Sequence, residues 1–385
     1  MHLIAATLFL AAAQALLVPR APGPYSVAVE HFELIDKSRI DRFASTPNTP
    51  RRFMASAYLP ISRDHQCQTY TAPYAPVLTT KVYDTLLPGF GLPAGFLEQF
   101  EMEYCNASTI LPQEHTEMKE FPIAIFGPGL SLSRLAYGAM ARSLASLGYI
   151  ILTVDCPYDA VFVEFPDGSN ITMSNPELGK EPLRDEGLAT RADDITFLMT
   201  QLTNATFTSS VFGNFPGTFD PQRIALYGHS FGGAAAAAVL QRDARAIGGA
   251  DLDGNVYGDA LNKGFKDKPF LLVSSEGIAS SGVLNWADFY PKIDASKMEL
   301  SLKDTQHNAF TDIPLLLEVS RLPPTSPSLV EQNFGTLSGR KIERAVDNIM
   351  VGVLGLVFHN KTRALKTIGR DQNIVVVHND LRGCK

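Results

Sequence analysis

The feature that most constrains this chain of 385 residues is the pentapeptide Gly-His-Ser-Phe-Gly at residues 228–232. A short apolar run of strand length, residues 223–227, precedes it, and the alanines at 234–238, which are strong helix formers, follow it. A serine at a sharp turn between a strand and a helix is typical of a nucleophile elbow, which exposes the serine hydroxyl at the edge of a sheet. The pattern therefore predicts that Ser230 is a catalytic nucleophile. A glycine-rich turn without a catalytic role is the alternative explanation of the pentapeptide alone.

The elbow also predicts the fold class, an α/β fold of the α/β-hydrolase type with a mostly parallel central sheet flanked by helices. Other apolar runs have the length of strands in such a sheet: residues 121–126, 149–154, 246–250, 268–275 and 298–302. We expect one catalytic domain over residues 16–385, with an N-terminal arm and an insertion near residues 157–181. Insertions at the carboxyl ends of strands overhang the active site in this architecture, so the insertion is expected to shape the pocket.

In α/β-hydrolases the nucleophile is followed along the chain by an acid and then by a histidine. The apolar run at 246–250 leads into two candidate acids, Asp251 and Asp253, which share one face of a strand because they are two residues apart. Asp253 is preferred, since it lies at the end of the strand beside the turn-forming Gly254. Asp251 is the alternative acid, and an ordinary turn role is the alternative for both.

The base is expected in a loop after a later strand. His307 follows the predicted strand at 298–302 directly, whereas His359 and His378 come too late in the chain. His229 lies inside the elbow and is expected to point away from the nucleophile. The order of residues therefore predicts His307 as the catalytic base, although a histidine in a loop is commonly only a solvated polar residue.

An oxyanion hole of this fold uses two backbone N–H groups, one from the residue after the nucleophile and one from the loop after an earlier central strand. The first is predicted to be that of Phe231. The strand at 121–126 is followed by Gly-Pro-Gly-Leu-Ser at residues 127–131, whose turn residues can aim an amide inward. Leu130 is therefore predicted as the second donor.

With these residues placed, the chain resembles the platelet-activating factor acetylhydrolase family, whose members are serine esterases of the α/β-hydrolase fold. The segments that carry the resemblance are residues 51–60, 121–149, 228–233, 252–254 and 307–312. The resemblance implies hydrolysis of carboxylic esters without calcium and a preference for short acyl groups, as in 1-alkyl-2-acetylglycerophosphocholine.

The charge and motifs of the chain limit its partners. The formal net charge of −7 argues against a nucleic-acid partner, which requires a basic surface. The sequence shows no His/Cys cluster with the spacing of a metal site and no glycine loop typical of phosphate binding. We expect a small ester or lipid substrate, and we expect no metal, cofactor, integral membrane segment or protein partner.

The N-terminus predicts secretion. Residues 3–13 form an apolar run that leads into Ala-Gln-Ala at residues 13–15, a small-x-small cleavage pattern, so residues 1–15 are predicted to be a signal peptide. Four glycosylation sequons fit a secreted glycoprotein, and their asparagines are Asn106, Asn170, Asn204 and Asn360.

The four cysteines also fit an oxidising compartment, and they allow three disulfide pairings. Cys67 and Cys105 bracket one loop-rich segment, which predicts a bridge between them. Cys156 and Cys384 would then pair and tie the C-terminal tail to the end of a core strand.

Together these observations predict a secreted serine esterase that prefers short acyl groups. Leu130, Phe231 and the aromatic residues at 211–219 are expected to crowd the acyl side of the site. A lipase or a cutinase-like polyester hydrolase with the same triad is the first alternative. A catalytically silent hydrolase fold used for binding is a remote alternative, because the full set of serine, acid and histidine is present.

Overall fold

The structure is a computed structural model that describes residues 15–65, 67–110, 118–174 and 176–383. Residues 1–14, and with them nearly all of the predicted signal peptide, lie outside the described residues. No helix in the described ranges is long and apolar enough to cross a membrane.

The described residues build a central sheet of nine strands, which we number along the chain. The strands are β1 (Ser26–Ile40), β2 (Pro50–Ile61), β3 (Ile123–Gly127), β4 (Ile150–Val154), β5 (Ile224–His229), β6 (Ala246–Leu252), β7 (Phe270–Ser275), β8 (Lys297–Leu302) and β9 (Ile374–Asp380). Their order across the sheet is β9-β8-β7-β6-β5-β3-β4-β2-β1. Strands β3 to β8 are parallel to one another, whereas β1, β2 and β9 pair antiparallel with their neighbours. The predicted α/β fold is confirmed.

Helices cover both faces of this sheet. The α-helices of the described residues are α1 (Val77–Asp84), α2 (Gly138–Ser146), α3 (Arg184–Gln201), α4 (Ala205–Phe212), α5 (Phe231–Arg242), α6 (Gly258–Lys263), α7 (Glu276–Ser281), α8 (Trp286–Phe289), α9 (Ile313–Val319), α10 (Pro327–Phe334), α11 (Gly339–His359) and α12 (Arg363–Lys366). Side chains alternate along each strand, so β3 sends Ala124 and Phe126 into one core and Ile123 and Ile125 into the other. Helices α2 and α11 close the first core, and α3 and α5 close the second.

A small three-stranded sheet lies in the N-terminal third of the chain. It joins the short strand Leu16–Leu17 to the strands Thr69–Pro73 and Phe100–Cys105. The disulfide between Cys67 and Cys105, whose Cα atoms are 5.7 Å apart, links the two longer strands at one end. This predicted bridge is confirmed.

The second predicted bridge, from Cys156 to Cys384, is contradicted. Cys156 follows β4 and is a buried free thiol among the described residues, while Cys384 lies outside them. Strands β4 and β9 are six positions apart in the sheet, which is roughly 29 Å at about 4.8 Å per strand. Arg382, just after β9, donates its backbone N–H to Ser296 Oγ at that far edge. A disulfide requires Cα atoms within about 7 Å of one another.

Candidate active site

Ser230 sits at the turn between β5 and α5, with backbone angles φ 54° and ψ −122°. A positive φ is uncommon for a residue with a side chain, and such strain is characteristic of functional turns. The serine lies at the N-terminus of α5, where the helix dipole favours negative charge. The predicted elbow therefore has its expected geometry.

The glycines around Ser230 are required by close backbone contacts. A Cβ atom on Gly232 would lie 2.0 Å from the carbonyl oxygen of Gly127 at the end of β3. A Cβ atom on Gly228 would lie 2.3 Å from the carbonyl carbon of Gly232. These distances are far shorter than any non-bonded contact, so only glycine lets β5 and α5 pass so close to β3.

Asp253, in the loop after β6, holds His307. Its side chain is fully buried, and its Oδ2 accepts a 2.8 Å hydrogen bond from Nδ1 of His307. Ser275, at the end of β7, donates its backbone N–H to Oδ1 and its hydroxyl to Oδ2 of the same carboxylate. The indole of Trp286 supports the loop by donating to the carbonyl of Gly254. Three donor groups therefore hold the acid and its loop in position for His307.

Asp251 takes no part in this contact. It is completely buried beneath the elbow, where its Oδ1 accepts the backbone N–H of Gly254 at 3.0 Å. A Cβ atom on Gly233 would lie 1.8 Å from that oxygen, so Asp251 packs directly against the start of α5. Burial, together with the charge of Asp253, raises the pKa of Asp251 well above its ordinary value.

His307 lies in a turn that follows β8, and about a third of its side chain is exposed. With Nδ1 engaged by Asp253, its Nε2 is left for the nucleophile. Ser230 and His307 line the same cavity, but no hydrogen bond joins their side chains in the described structure. Hydrogen bonds of this kind commonly shorten only when substrate is bound.

His229 is buried beside His307, with the two ring centroids 4.6 Å apart, rather than pointing away from the site. Its Nε2 lies 3.0 Å from the carbonyl oxygen of His307, which can only accept, so Nε2 carries the hydrogen. Its Nδ1 therefore accepts from the hydroxyl of Tyr137, which in turn accepts the N–H of Gly129. Burial and the nearby His307 lower the pKa of His229 well below its ordinary value, so the ring stays neutral.

The two predicted oxyanion donors face the same end of the sheet. Phe231 is the first residue of α5, and the first N–H groups of a helix have no partner inside the helix. Leu130 belongs to the turn after β3 and lines the cavity together with Ser230. Among the described residues, neither backbone N–H has an acceptor. Two free amides beside a serine can stabilise the oxyanion of an ester's tetrahedral intermediate.

A cavity of about 430 Å³ opens beside Ser230. Its described lining contains no Asp, Glu, Lys or Arg, and most of its wall is apolar. Aromatic and leucine side chains form the wall away from the serine: Tyr74, Tyr83, Leu87, Phe90, Leu97 and Phe334. This volume falls within the range of small-molecule sites.

The insertion near 157–181 contributes to this cavity, because Val161 lines it. A Cβ atom on Gly179 would lie 2.5 Å from a methyl group of Leu130, so the insertion also covers that residue. The aromatic segment 211–219 does not crowd the acyl side, and that prediction is wrong. Its Phe215 packs on Phe121, before the start of β3, whereas the site is at the other end of that strand.

Sequence reasoning missed several residues that hold the site together, namely Tyr137, Asp159, Arg191 and Ser275. Each makes at least one contact with a group more than 20 residues away along the chain, and no local motif marks it. Across the described ranges, no group of three His, Cys, Asp or Glu side chains is arranged to hold a metal ion.

Comparison with known proteins shows which protein family this chain resembles. The sequence profile described as "Platelet-activating factor acetylhydrolase, isoform II" matches residues 100–161 and 196–322, a region that contains the elbow, both aspartates and His307. Over these residues the chain is similar to the platelet-activating factor acetylhydrolase family. Like the named relatives of this family, it is a carboxylic ester hydrolase.

Two relatives illustrate this similarity. The chain is 29% identical over 321 residues to a "Probable 1-alkyl-2-acetylglycerophosphocholine esterase" of Arthroderma benhamiae, covering 78% of each chain. It is 26% identical over 218 residues to the platelet-activating factor acetylhydrolase of Bos taurus, covering 50% of this chain and 49% of the bovine protein.

A solved structure supports the fold described here. The chain superposes on the ferulic acid esterase from Streptomyces cinnamoneus with a TM-score of 0.76, covering 94% of this chain and all of the other. At 22% identity, this likeness concerns the fold alone.

Proposed function

We propose that this protein is a secreted serine esterase that removes short acyl groups, acetyl to butyryl, from a lipid-like alcohol. The motive for the acyl length is that one relative is named as an esterase of a 2-acetyl glycerophosphocholine and the other as an acetylhydrolase. The observation that carries the proposal is the pairing of His307 with buried Asp253 at the mouth of a cavity shared with Ser230.

In the proposed mechanism, Ser230 Oγ attacks the ester carbonyl while His307 Nε2 takes its proton. Asp253 keeps the proton of His307 on Nδ1 and stabilises the imidazolium that forms. The N–H groups of Phe231 and Leu130 donate to the oxyanion of the tetrahedral intermediate. His307 then returns the proton to the leaving alcohol, and a water molecule, activated by the same histidine, releases the acid from the serine.

The cavity supports an apolar substrate. An uncharged wall of aromatic and leucine side chains favours alkyl chains because their transfer from water is favourable, at about 0.8 kcal/mol for each buried CH₂ group. In the proposed substrate this alkyl chain belongs to the alcohol, while the small acyl group faces the oxyanion loop.

The same cavity also supports the second candidate, a lipase or cutinase-like enzyme. About 430 Å³ of apolar space beside the nucleophile suits a long acyl chain as well as a long alcohol. The two candidates differ in which side of the ester carries the long chain, and this can be measured directly.

The test is kcat/KM for p-nitrophenyl acetate, butyrate, octanoate and palmitate, together with a 1-alkyl-2-acetyl phospholipid, all in EDTA. We expect the highest value at acetate or butyrate, full activity in EDTA, and none in the Ser230→Ala variant. An optimum at octanoate or longer would favour the lipase or cutinase candidate. Failure of a fluorophosphonate probe to label Ser230 would instead identify a catalytically silent fold.

Secretion and glycosylation are also proposed. The Cys67–Cys105 disulfide supports an oxidising compartment, and all four sequon asparagines (Asn106, Asn170, Asn204 and Asn360) are exposed. Expression of the full chain in a eukaryotic host should release a protein into the medium that lacks residues 1–15. Removal of N-glycans should lower its mass, and the Asn→Gln variants should assign the sites. Retention of an unprocessed, unmodified chain inside the cell would contradict both proposals.

A further inference from the structure

A buried arginine lies under the oxyanion loop. Arg191 is on α3, and only 2% of its side chain is exposed. It forms a two-pronged ion pair with Asp159 of the insertion, with Nε donating to Oδ2 at 2.6 Å and Nη2 donating to Oδ1 at 2.7 Å. This parallel arrangement fixes the plane of the guanidinium as well as its charge.

The remaining donors of this guanidinium reach the oxyanion loop. Nη1 of Arg191 donates to the carbonyl of Pro128 at 2.6 Å, and Nη2 donates to the carbonyl of Gly129 at 3.2 Å. In a trans peptide, the C=O of one residue and the N–H of the next point in opposite directions. With the Gly129 carbonyl held by Arg191, the N–H of Leu130 must therefore point away from Arg191.

Two further contacts fix the same loop. Asp159 Oδ1 accepts the backbone N–H of Ser131 at 3.2 Å, and the Tyr137 hydroxyl accepts the N–H of Gly129 at 3.1 Å. The peptides on both sides of Leu130 are thus bound to side chains that are themselves buried.

Arg191 also contacts the second oxyanion donor. Its guanidinium carbon lies 4.9 Å from the centre of the Phe231 ring, within the range of a cation–π contact. One side chain therefore touches both halves of the predicted oxyanion hole, although the two halves follow different strands.

Arg191 keeps its positive charge in this buried position. Burial by itself lowers the pKa of a guanidinium, but the Asp159 carboxylate and other neighbouring groups together outweigh this and raise the pKa of Arg191 above its ordinary value. A lysine could not replace this arrangement, because its single ammonium is a point charge without the planar fork that matches a carboxylate.

We infer that Arg191, paired with Asp159, is a positioning residue that orients the N–H groups of Leu130 and Phe231 for the oxyanion. This inference rests on the proposed serine esterase mechanism. It assigns to the ion pair an effect on the transition state rather than on substrate binding, since an oxyanion exists only after attack has begun.

The test compares Arg191→Lys with the wild-type enzyme on p-nitrophenyl acetate. Loss of one oxyanion donor costs about 10²–10³ in kcat, so a misaimed donor should lower kcat by roughly 10- to 100-fold with KM changed less than about threefold. The inhibition constant of a boronic acid, which forms a tetrahedral anion on the serine, should rise by a similar factor. The concentration of active sites is measured by complete fluorophosphonate labelling. Because kcat is then calculated per labelled site, misfolded protein does not affect it.

Arg51→Lys is the matched control. Arg51 is also 2% exposed. Its guanidinium pairs with Asp194, which lies on the same helix as Arg191, and it does not contact the oxyanion loop. The Arg51→Lys variant should lower the melting temperature about as much as Arg191→Lys does, and it should leave kcat per labelled site unchanged. If Arg191→Lys does not fold, Asp159→Asn, which preserves the size of the side chain, is measured in its place and should show the same selective loss of kcat.

Two results would have different meanings, because one would refute the positioning role of Arg191 and the other would refute the proposed esterase function. If kcat per labelled site in the folded variant stays within twofold of wild type, the positioning role is refuted while the esterase mechanism stands. If the wild-type enzyme neither hydrolyses esters nor reacts with fluorophosphonate, the proposed function itself fails.

Discussion

Replacing Asp347 with asparagine should stabilise this protein in a manner that depends on pH. Asp347 lies on α11 against α2, is 5% exposed, and accepts one hydrogen bond from the hydroxyl of Ser143. Its other oxygen, Oδ1, is buried without a partner among the described residues. Burial raises the pKa of Asp347 from 3.8 to about 7. The folded protein therefore keeps a proton that the unfolded chain has already lost at pH 5.

The sign of the effect follows from the raised pKa. The stabilising contribution of the protonated carboxyl is full below the unfolded pKa and declines as pH rises, until it is lost above the folded pKa. From pH 5 to pH 6 the two states differ by nearly one proton, and the difference falls to about half a proton at pH 7. A full proton is worth about 1.4 kcal/mol for each pH unit, so wild type should lose about 2–3 kcal/mol of unfolding free energy through Asp347.

Asp347→Asn removes this loss because the amide does not ionise. Urea unfolding at pH 5 and pH 8.5 should show that the variant gains about 2–3 kcal/mol relative to wild type at the higher pH. Comparing the two pH values cancels any constant cost of the amide. Asp288→Asn, at an exposed position on α8, is the control and should show no such gain. An equal difference between Asp347→Asn and wild type at both pH values would refute the reasoning.

Three further changes probe the site and the fold. Asp253→Asn should lower kcat by about 10⁴ because it favours the wrong histidine tautomer. Asp251→Asn should keep kcat within about tenfold, since His307 contacts Asp253 and Asp251 accepts only from the N–H of Gly254; steady-state kinetics in which Asp251→Asn proves more damaging would reverse the assignment. Gly232→Ala should prevent folding of the elbow, because the added Cβ atom would lie 2.0 Å from a carbonyl oxygen. The expected result is loss of a cooperative thermal transition, and a variant that melts like wild type would contradict this prediction. Cys67→Ala with Cys105→Ala should cost about 4 kcal/mol in urea unfolding, from a loop of 38 residues, and a cost below about 1 kcal/mol would show that the bridge barely constrains the unfolded chain.

The elbow could be read from the sequence because its signals are local. A strand-length apolar run, a glycine-flanked serine and a run of alanines lie within about 20 residues, and the backbone turn depends only on them. Asp253 and His307 could be selected because the fold fixes their order along the chain, and the structure brings the two side chains into contact. The disulfide between Cys67 and Cys105 was predictable for the same reason, since both cysteines border one segment.

The errors arose where the answer depends on which elements become neighbours. The aromatic segment 211–219 has a suitable composition for an acyl site, but it packs beneath the other end of β3. The bridge between Cys156 and Cys384 was predicted only because these two cysteines remained after the first pairing. That reasoning takes no account of the distance between β4 and β9. Strand β9 itself was not predicted at all.

The sequence by itself determined the fold class, the nucleophile, the order of the triad and the glycines of the elbow, because close backbone contacts and chain order restrict those positions to few residue types. Only the tertiary structure decided how the oxyanion loop is held. Arg191 is about 60 residues from that loop and 32 from Asp159, and an arginine in a helix is ordinarily solvated. Its role appears only when α3 packs on the sheet, because burial then makes each unpaired donor and charge costly and so selects one arrangement of partners.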